Sequence, residues 1–157
     1  MRIGSPKEIK DAEQRVGLTP TSVRELVAQG HSVSIETNAG IGIGATDEAY
    51  VRAGAEIGAN VADVFESSDM IVKVKEPQPA ERALLRPDHV LFTYLHLAPD
   101  PEQTHDLIAS GATCIAYETV TDLGGGLPLL APMSIVAGRM AIQAAAHCLE
   151  APQGGSG

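Results

Sequence analysis

Apolar positions along this chain recur at two spacings, and the two spacings take turns. "RIGS" opens as a short strand. "TPTSVRELVAQG" sets Val23, Leu26 and Val27 on one helical face, with Thr19 placed to cap, Pro20 suited to the first turn and Gly30 to stop it. "HSVSIET" switches to alternation, so Val33 and Ile35 share one side of a strand. "TDEAYVRAG" and "NVADVFESS" predict two short helices that end on polar residues or glycine. There follow a strand "DMIVKV", a helix "PAERALLR", a strand "HVLFTYL", a helix "DPEQTHDLIASG" and a strand "ATCIAY". A glycine-rich turn, "TDLGGGLP", then leads into a long helical stretch from about Pro132 to Glu150.

Strands alternating with helices predict βαβ units. The expected fold is α/β: a Rossmann-like or flavodoxin-like open, mostly parallel sheet with flanking helices, ending in a long helix. Residues 1–131 are expected to form a substrate-binding α/β domain and residues 132–150 a connecting helix. The tail 151–157, "APQGGSG", has linker composition, and a hinge, a truncated end and an engineered end all fit it.

Composition narrows the function. The 157 residues suffice for one domain with a real core, and with aromatics at 3% that core must be built from Ala, Val, Leu and Ile. A net charge of −9 without a basic stripe argues against nucleic acid as a partner. No apolar run approaches the roughly 20 residues of a membrane span, and "MRIGSPKEIK" lacks a signal-peptide core, so a cytoplasmic protein with no membrane partner is expected. Cys114 and Cys148 lack metal or redox spacing and read as reduced, buried thiols; no metal site is expected.

In an open parallel sheet, ligands bind outside the carboxyl ends of the strands. Lys75 follows "DMIVKV", His96 follows "HVLFTYL" and Glu118 follows "ATCIAY", at a nearly constant spacing of one strand-plus-helix unit. The connection from Pro6 to Leu18 exceeds the ~2–6 residues usual for such a loop and carries Arg15. Each residue alone has a plainer reading. Lys75 suits a solvated charge beside Glu76, His96 a structural histidine, and Arg15 a surface ion pair with the acids upstream of it. For Glu118 the turn-capping role is preferred. As a set, Arg15 offers a planar fork for a carboxylate, Lys75 a compact donor and His96 a titratable proton. Such a set suits a small acid with a neighbouring oxo, hydroxy or amino group.

Two other stretches invite a ligand. "TNAGIGIGAT" fits G-x-G-x-x-[G/A] through Gly40, Gly42 and Ala45, but a flexible glycine turn is preferred because the preceding strand is short. At the start of the long helix Ser134 lies near backbone amides that accept an anion, or simply caps them. Met133, Val136, Ala137 and Met140 form an apolar stripe suited to a core or a subunit face.

The motifs "RIGSPKEI", "EQRVGLTP", "IVKVKEPQP", "LFTYLHLAPDPEQT", "CIAYETV", "LPLLAPMS", "VAGRM" and "QGG" resemble alanine dehydrogenase, with the transhydrogenase alpha subunit and saccharopine dehydrogenases as more distant kin. The resemblance spans nearly the whole chain. It implies the substrate domain of an NAD-dependent enzyme that interconverts L-alanine with pyruvate and ammonia. It further implies that Arg15 and Lys75 bind the substrate carboxylate and carbonyl, that His96 is the catalytic acid/base, that Met133 lies at the substrate pocket and that Ser134 contacts the cofactor. It also implies a homo-oligomer, hexamer or dimer. Two positions depart from the pattern: Ile135 stands where an acid is usual, and Ser156 where an arginine is usual. The dinucleotide-binding domain of the family, with its own glycine fingerprint and a catalytic aspartate, lies outside these residues. The chain alone is therefore expected to lack stable NAD binding and most of the activity. The alternatives are a non-catalytic, oligomerising or carboxylate-binding module and the equivalent domain of a transhydrogenase.

Overall fold

The computed structural model describes all 157 residues as two compact units, Met1–Ala116 and Tyr117–Gly157. The first is a six-stranded, wholly parallel sheet: β1 (Arg2–Ser5), β2 (Ser32–Glu36), β3 (Glu56–Gly58), β4 (Met70–Val72), β5 (Val90–Thr93) and β6 (Thr113–Ala116). Its helices are α1 (Pro20–Ala28), α2 (Asp47–Ala53), α3 (Val61–Ser67), α4 (Pro79–Arg82) and α5 (Pro101–Ser110). The strand order β3-β2-β1-β4-β5-β6 decides between the two expected topologies, for it is the Rossmann order and not that of flavodoxin. The chain reverses direction across the sheet between β1 and β4, and ligands bind at such a switch point.

β3 has no counterpart in the hydrophobic pattern. Its three residues are too few to show alternation, and it forms because Ser34 and Ile35 of β2 offer Glu56 and Ile57 a parallel ladder. Where the pattern was long, the structure follows it. Thr19 caps α1 by accepting from the Ser22 amide, Pro20 opens the helix, and the chain leaves it through Gly30 at φ 85°.

Two apolar clusters hold the sheet. Ile3, Val33 and Ile35 of β1 and β2 pack with Val23 of α1 and with Tyr50 and Ala53 of α2. Phe65 of α3, Ile71 of β4, Leu91 of β5, Leu107 of α5 and Leu95, just beyond β5, form the other. Val16 and Leu18 are buried in the first cluster, and the Tyr50 hydroxyl donates to the Leu18 carbonyl at 2.8 Å. The long loop after β1 is thus tied to the core at its far end.

His89, which precedes β5, is 1% exposed, with its ring edge-on to Phe65 at 6.1 Å and its Nδ1 accepting from the Arg86 amide at 3.2 Å. Burial, with the Arg86 charge second, lowers its pKa below the usual imidazole value. A lowered value means that the unfolded chain binds the proton first. The stability contributed by neutral His89 is therefore complete above the unfolded pKa near 6.5 and is lost as pH falls through that value toward the folded one. Urea midpoints from pH 7.5 to 5.5 are expected to fall in the wild type, with a slope bounded by about 1.4 kcal/mol per pH unit. In His89→Asn the slope should flatten; an unchanged slope would assign it to another group.

The second unit, described by itself, holds a 3-10 turn (Tyr117–Thr119), the helix α6 (Ala131–Leu149) and a 3-10 turn (Ala151–Gln153) in place of an extended tail. No residue of α6 is buried, so the stripe of Met133, Val136 and Met140 is not a core within this chain. The same fact corrects one thiol: both cysteines are free, but Cys148 on α6 is exposed, and Cys114 in β6 is only half-buried. No helix is long and apolar enough to cross a membrane.

Candidate functional site

The site is assembled by what leaves the carboxyl ends of β1, β4 and β5. Lys75 and His96 each lie third beyond their strands, and the ladder continues past both strand ends. The Lys73 amide donates to Phe92 at 3.1 Å, the Tyr94 amide to Val74 at 3.3 Å, and the Thr93 hydroxyl to the Lys75 carbonyl at 2.9 Å. Lys75 and His96 are thereby held side by side. With Lys10, Glu76, Pro99, Asp100 and Gln103 they line one cavity of ≈ 360 Å³.

His96 is oriented from several sides. Its backbone takes φ 48°, a left-handed conformation that few non-glycine residues adopt. Its ring stacks on Tyr94 at 5.9 Å with planes 25° apart. Buried Gln103 donates to the Leu95 carbonyl at 2.6 Å, which pins the residue just before it. Its Nδ1 lies 3.5 Å from Oε2 of Glu76.

Arg15 lines a second cavity of ≈ 230 Å³ with Lys7, Glu8, Glu13, Gln14 and Asn38 among its walls. Its guanidinium engages the Glu13 carboxylate through two hydrogen bonds, Nε to Oε1 at 2.8 Å and Nη2 to Oε2 at 2.6 Å. The fork holds the Glu13 pKa down to about 2. The ion pair anticipated for Arg15 is therefore formed, and it fixes the fork that the resemblance gives to a substrate carboxylate.

Glu8 ties the loop that carries Arg15 to the backbone that leads to Lys75. It lines the Arg15 cavity, and its Oε1 accepts from the Val74 amide at 2.6 Å and the Lys75 amide at 3.4 Å. Its other oxygen meets Nζ of Lys73 at 3.2 Å, and Lys73 also reaches Glu81 at 2.6 Å. All three side chains are buried. Burial is the largest influence on Glu8 and raises its pKa, opposed by the Lys73 ammonium.

The glycine turn takes the conformation of a 3-10 turn, Ile41–Ile43, and is packed rather than flexible. A Cβ on Gly42 would stand 2.3 Å from the Gln14 carbonyl oxygen, and one on Gly40 2.6 Å from the Tyr50 ring. These glycines admit the Arg15 loop and the α2 tyrosine, which accounts for the pattern without a phosphate.

Glu118, Met133 and Ser134 belong to the second unit. Glu118 lies in its first 3-10 turn. Ser134 is not the cap: Leu130 holds that position, and Ser134 is already one turn in, with its amide on the Leu130 carbonyl at 3.2 Å and its hydroxyl on the same oxygen at 3.3 Å. Glu8, Glu13, Lys73, Glu76, Tyr94 and Gln103 are contributors that the sequence pattern did not single out. The one available sign was the repeated pairing of Lys with Glu in "PKEIK" and "KVKEP", which local spacing renders as solvated charge.

Comparison with known proteins gives one consistent picture. The family model for the alanine dehydrogenase/PNT N-terminal domain matches residues 4–137. Alanine dehydrogenase of Halomonas elongata is 56% identical over 157 residues, covering 100% of this chain and 42% of the relative. A solved L-alanine dehydrogenase superposes with a TM-score of 0.90 at 56% identity, over 100% of this chain and 43% of that one. A transhydrogenase from Sinorhizobium meliloti superposes with a TM-score of 0.71 at 30% identity, over 75% of this chain and 35% of that one. This chain thus spans less than half the length of the alanine dehydrogenases it matches.

Proposed function

Since this chain belongs to the alanine dehydrogenase/PNT N-terminal domain family, we propose that it is the substrate-binding part of an NAD-dependent L-alanine dehydrogenase. The observation that carries the reading is Lys75 and His96 lining one cavity beside the topological switch point. Arg15 takes the carboxylate of pyruvate or L-alanine, and Lys75 polarises the 2-oxo group. As the oxidised amino-bearing carbon is hydrolysed, water supplies the carbonyl oxygen and the nitrogen leaves as ammonia; His96 takes the proton from that water and returns it in the reverse direction. Met133 is assigned to the substrate pocket on the resemblance alone.

A bound nicotinamide dinucleotide would supply the hydride acceptor for the substrate carbon. The residues present do not build its cradle: the Gly40–Gly44 turn is filled by Gln14 and Tyr50, and the Ser134 hydroxyl is spent on Leu130. Ser134 remains the single cofactor contact that the resemblance assigns, and the rest of the cofactor's site is assigned to the part of the relatives that this chain does not span. A cytoplasmic location and a homo-oligomer, dimer or hexamer, belong to the same reading; the exposed stripe on α6 supports assembly. The transhydrogenase likeness favours a second reading as the equivalent domain of that enzyme. A rim bearing Arg15, Lys75 and His96 is better matched to an amino or oxo acid.

Pyruvate titrated calorimetrically into the chain at pH 6 and pH 8 tests the proposal. Binding is expected in the wild type and should weaken at least about tenfold in Arg15→Ala, Lys75→Ala, since each lost charge-assisted contact is worth ~1.5–3 kcal/mol. A folded wild-type chain that gives no heat with pyruvate would make this a folding and assembly unit.

A further inference from the structure

The carboxylate of Glu76 is divided between two partners. One oxygen is engaged by Lys10. The other, Oε2, is shut off from solvent, has no hydrogen-bond donor, and faces Nδ1 of His96 at 3.5 Å. A buried acceptor without a donor is costly, and an Nδ1–H on His96 relieves that cost. The rest of the surroundings agree. The left-handed backbone at φ 48° and the stack on Tyr94 restrict the ring, so that Nδ1 is kept beside the carboxylate. Which imidazole nitrogen carries the proton is set by the bond that the other makes.

We propose that Glu76 is the positioning residue of His96: its buried oxygen holds the neutral imidazole as the Nδ1–H tautomer, so that Nε2 is the basic nitrogen of the ring. The catalytic consequence rests on the substrate-domain reading, whereas the tautomer itself does not. Lys10 contributes indirectly, by holding the first oxygen so that the second must face the histidine. The other charged groups around the cavity are Lys75 and Asp100. Burial is the largest influence on the Glu76 pKa and pushes it upward, but Lys10, the residue's own backbone amide and Lys75 together bring it below the usual value. Glu76 is accordingly an anion through the neutral pH range.

The test is 15N NMR of the His96 ring at pH 8 in the 157-residue chain, with pyruvate titrated into the same samples. In the wild type the Nδ1–H form should dominate by roughly tenfold, the size of one charge-assisted hydrogen bond. In Glu76→Gln, with the amide oxygen kept by Lys10, the amide nitrogen would face the ring and donate, so the ratio should invert toward Nε2–H. Glu76→Ala should leave the mixture of an unrestrained imidazole. A wild-type His96 that is mainly Nε2–H overturns the proposal without recourse to any variant, and so does an unchanged ratio in folded Glu76→Gln. Loss of pyruvate binding with the Nδ1–H form intact would count against the substrate reading alone.

Discussion

Lys73→Met should lower the free energy of unfolding by roughly 3–5 kcal/mol, as breaking a buried ion pair by removing one partner does elsewhere. The methionine conserves volume, so the loss is electrostatic. The ammonium that sat 3.2 Å from Glu8 and 2.6 Å from Glu81 is gone, and two buried carboxylates face each other with only backbone donors left. Such a pair takes up a proton. Its folded pKa then stands above the unfolded carboxyl value of about 4.3, so its contribution is full below that value and is lost as pH rises through the folded one. The deficit of the variant should accordingly be smaller near pH 5 than at pH 8. A triple variant, Lys73→Met with Glu8→Gln and Glu81→Gln, removes the uncompensated charge and should recover most of the loss. Urea unfolding at both pH values measures all of this. A single variant within about 1 kcal/mol of wild type at pH 8 would show that water, not Lys73, compensates the carboxylates.

The consequence reaches the candidate site because Glu8 belongs to the loop after β1 and Lys73 to the end of β4. Glu8 also accepts the amides of Val74 and Lys75. Gly17 makes the same junction tight: a Cβ there would stand 2.3 Å from the Val72 carbonyl oxygen. The loop that carries Arg15 therefore crosses the switch point in backbone contact with the strand that leads to Lys75. Pyruvate affinity and stability are expected to fall together in Lys73→Met, unlike in variants of Arg15, whose side chain is 41% exposed.

The junction also explains what was and was not legible in the sequence. Lys75 and His96 were legible because each follows an apolar strand by a fixed offset, and parallel topology turns equal offsets into equal heights. Lys73 sits inside the run "IVKVK", where alternation alone gives a lysine that points to water. Its burial depends on Glu8, 65 residues away, and on Glu81, and no local pattern encodes that meeting. In the sequence Glu76 reads only as a charge beside Lys75. Its relation to His96 arises from the pairing of the β4 and β5 extensions, a tertiary fact. The strand β3 escaped for a similar reason, since three residues acquire their conformation from β2. The glycine pattern misled in the other direction: its spacing fits a phosphate loop, but its space is filled by Gln14 and Tyr50.

Phe65→Ala is the other large effect expected, at roughly 3–5 kcal/mol for loss of a buried aromatic side chain with incomplete collapse of the cavity. The chain has only 2 phenylalanines and no tryptophan, so few side chains are large enough to span the space between α3 and the sheet. Phe65 is 1% exposed against Ile71, Leu85, Leu91, Leu95 and Leu107, and its ring meets the edge of His89. Leucines of fixed shape around a missing ring can close only part of the gap. Phe65→Leu keeps much of the volume and should cost less than about 1.5 kcal/mol. The difference between the two variants, read from urea midpoints at constant m, measures packing apart from hydrophobicity. Leu95 lies in this cluster and immediately precedes His96, so the alanine variant should also loosen the Tyr94–His96 stack and broaden the His96 ring signals while still folded at low temperature. A Phe65→Ala chain that loses stability with sharp, unshifted His96 signals would place the restraint on His96 in its polar and stacking contacts, independent of the core beneath it.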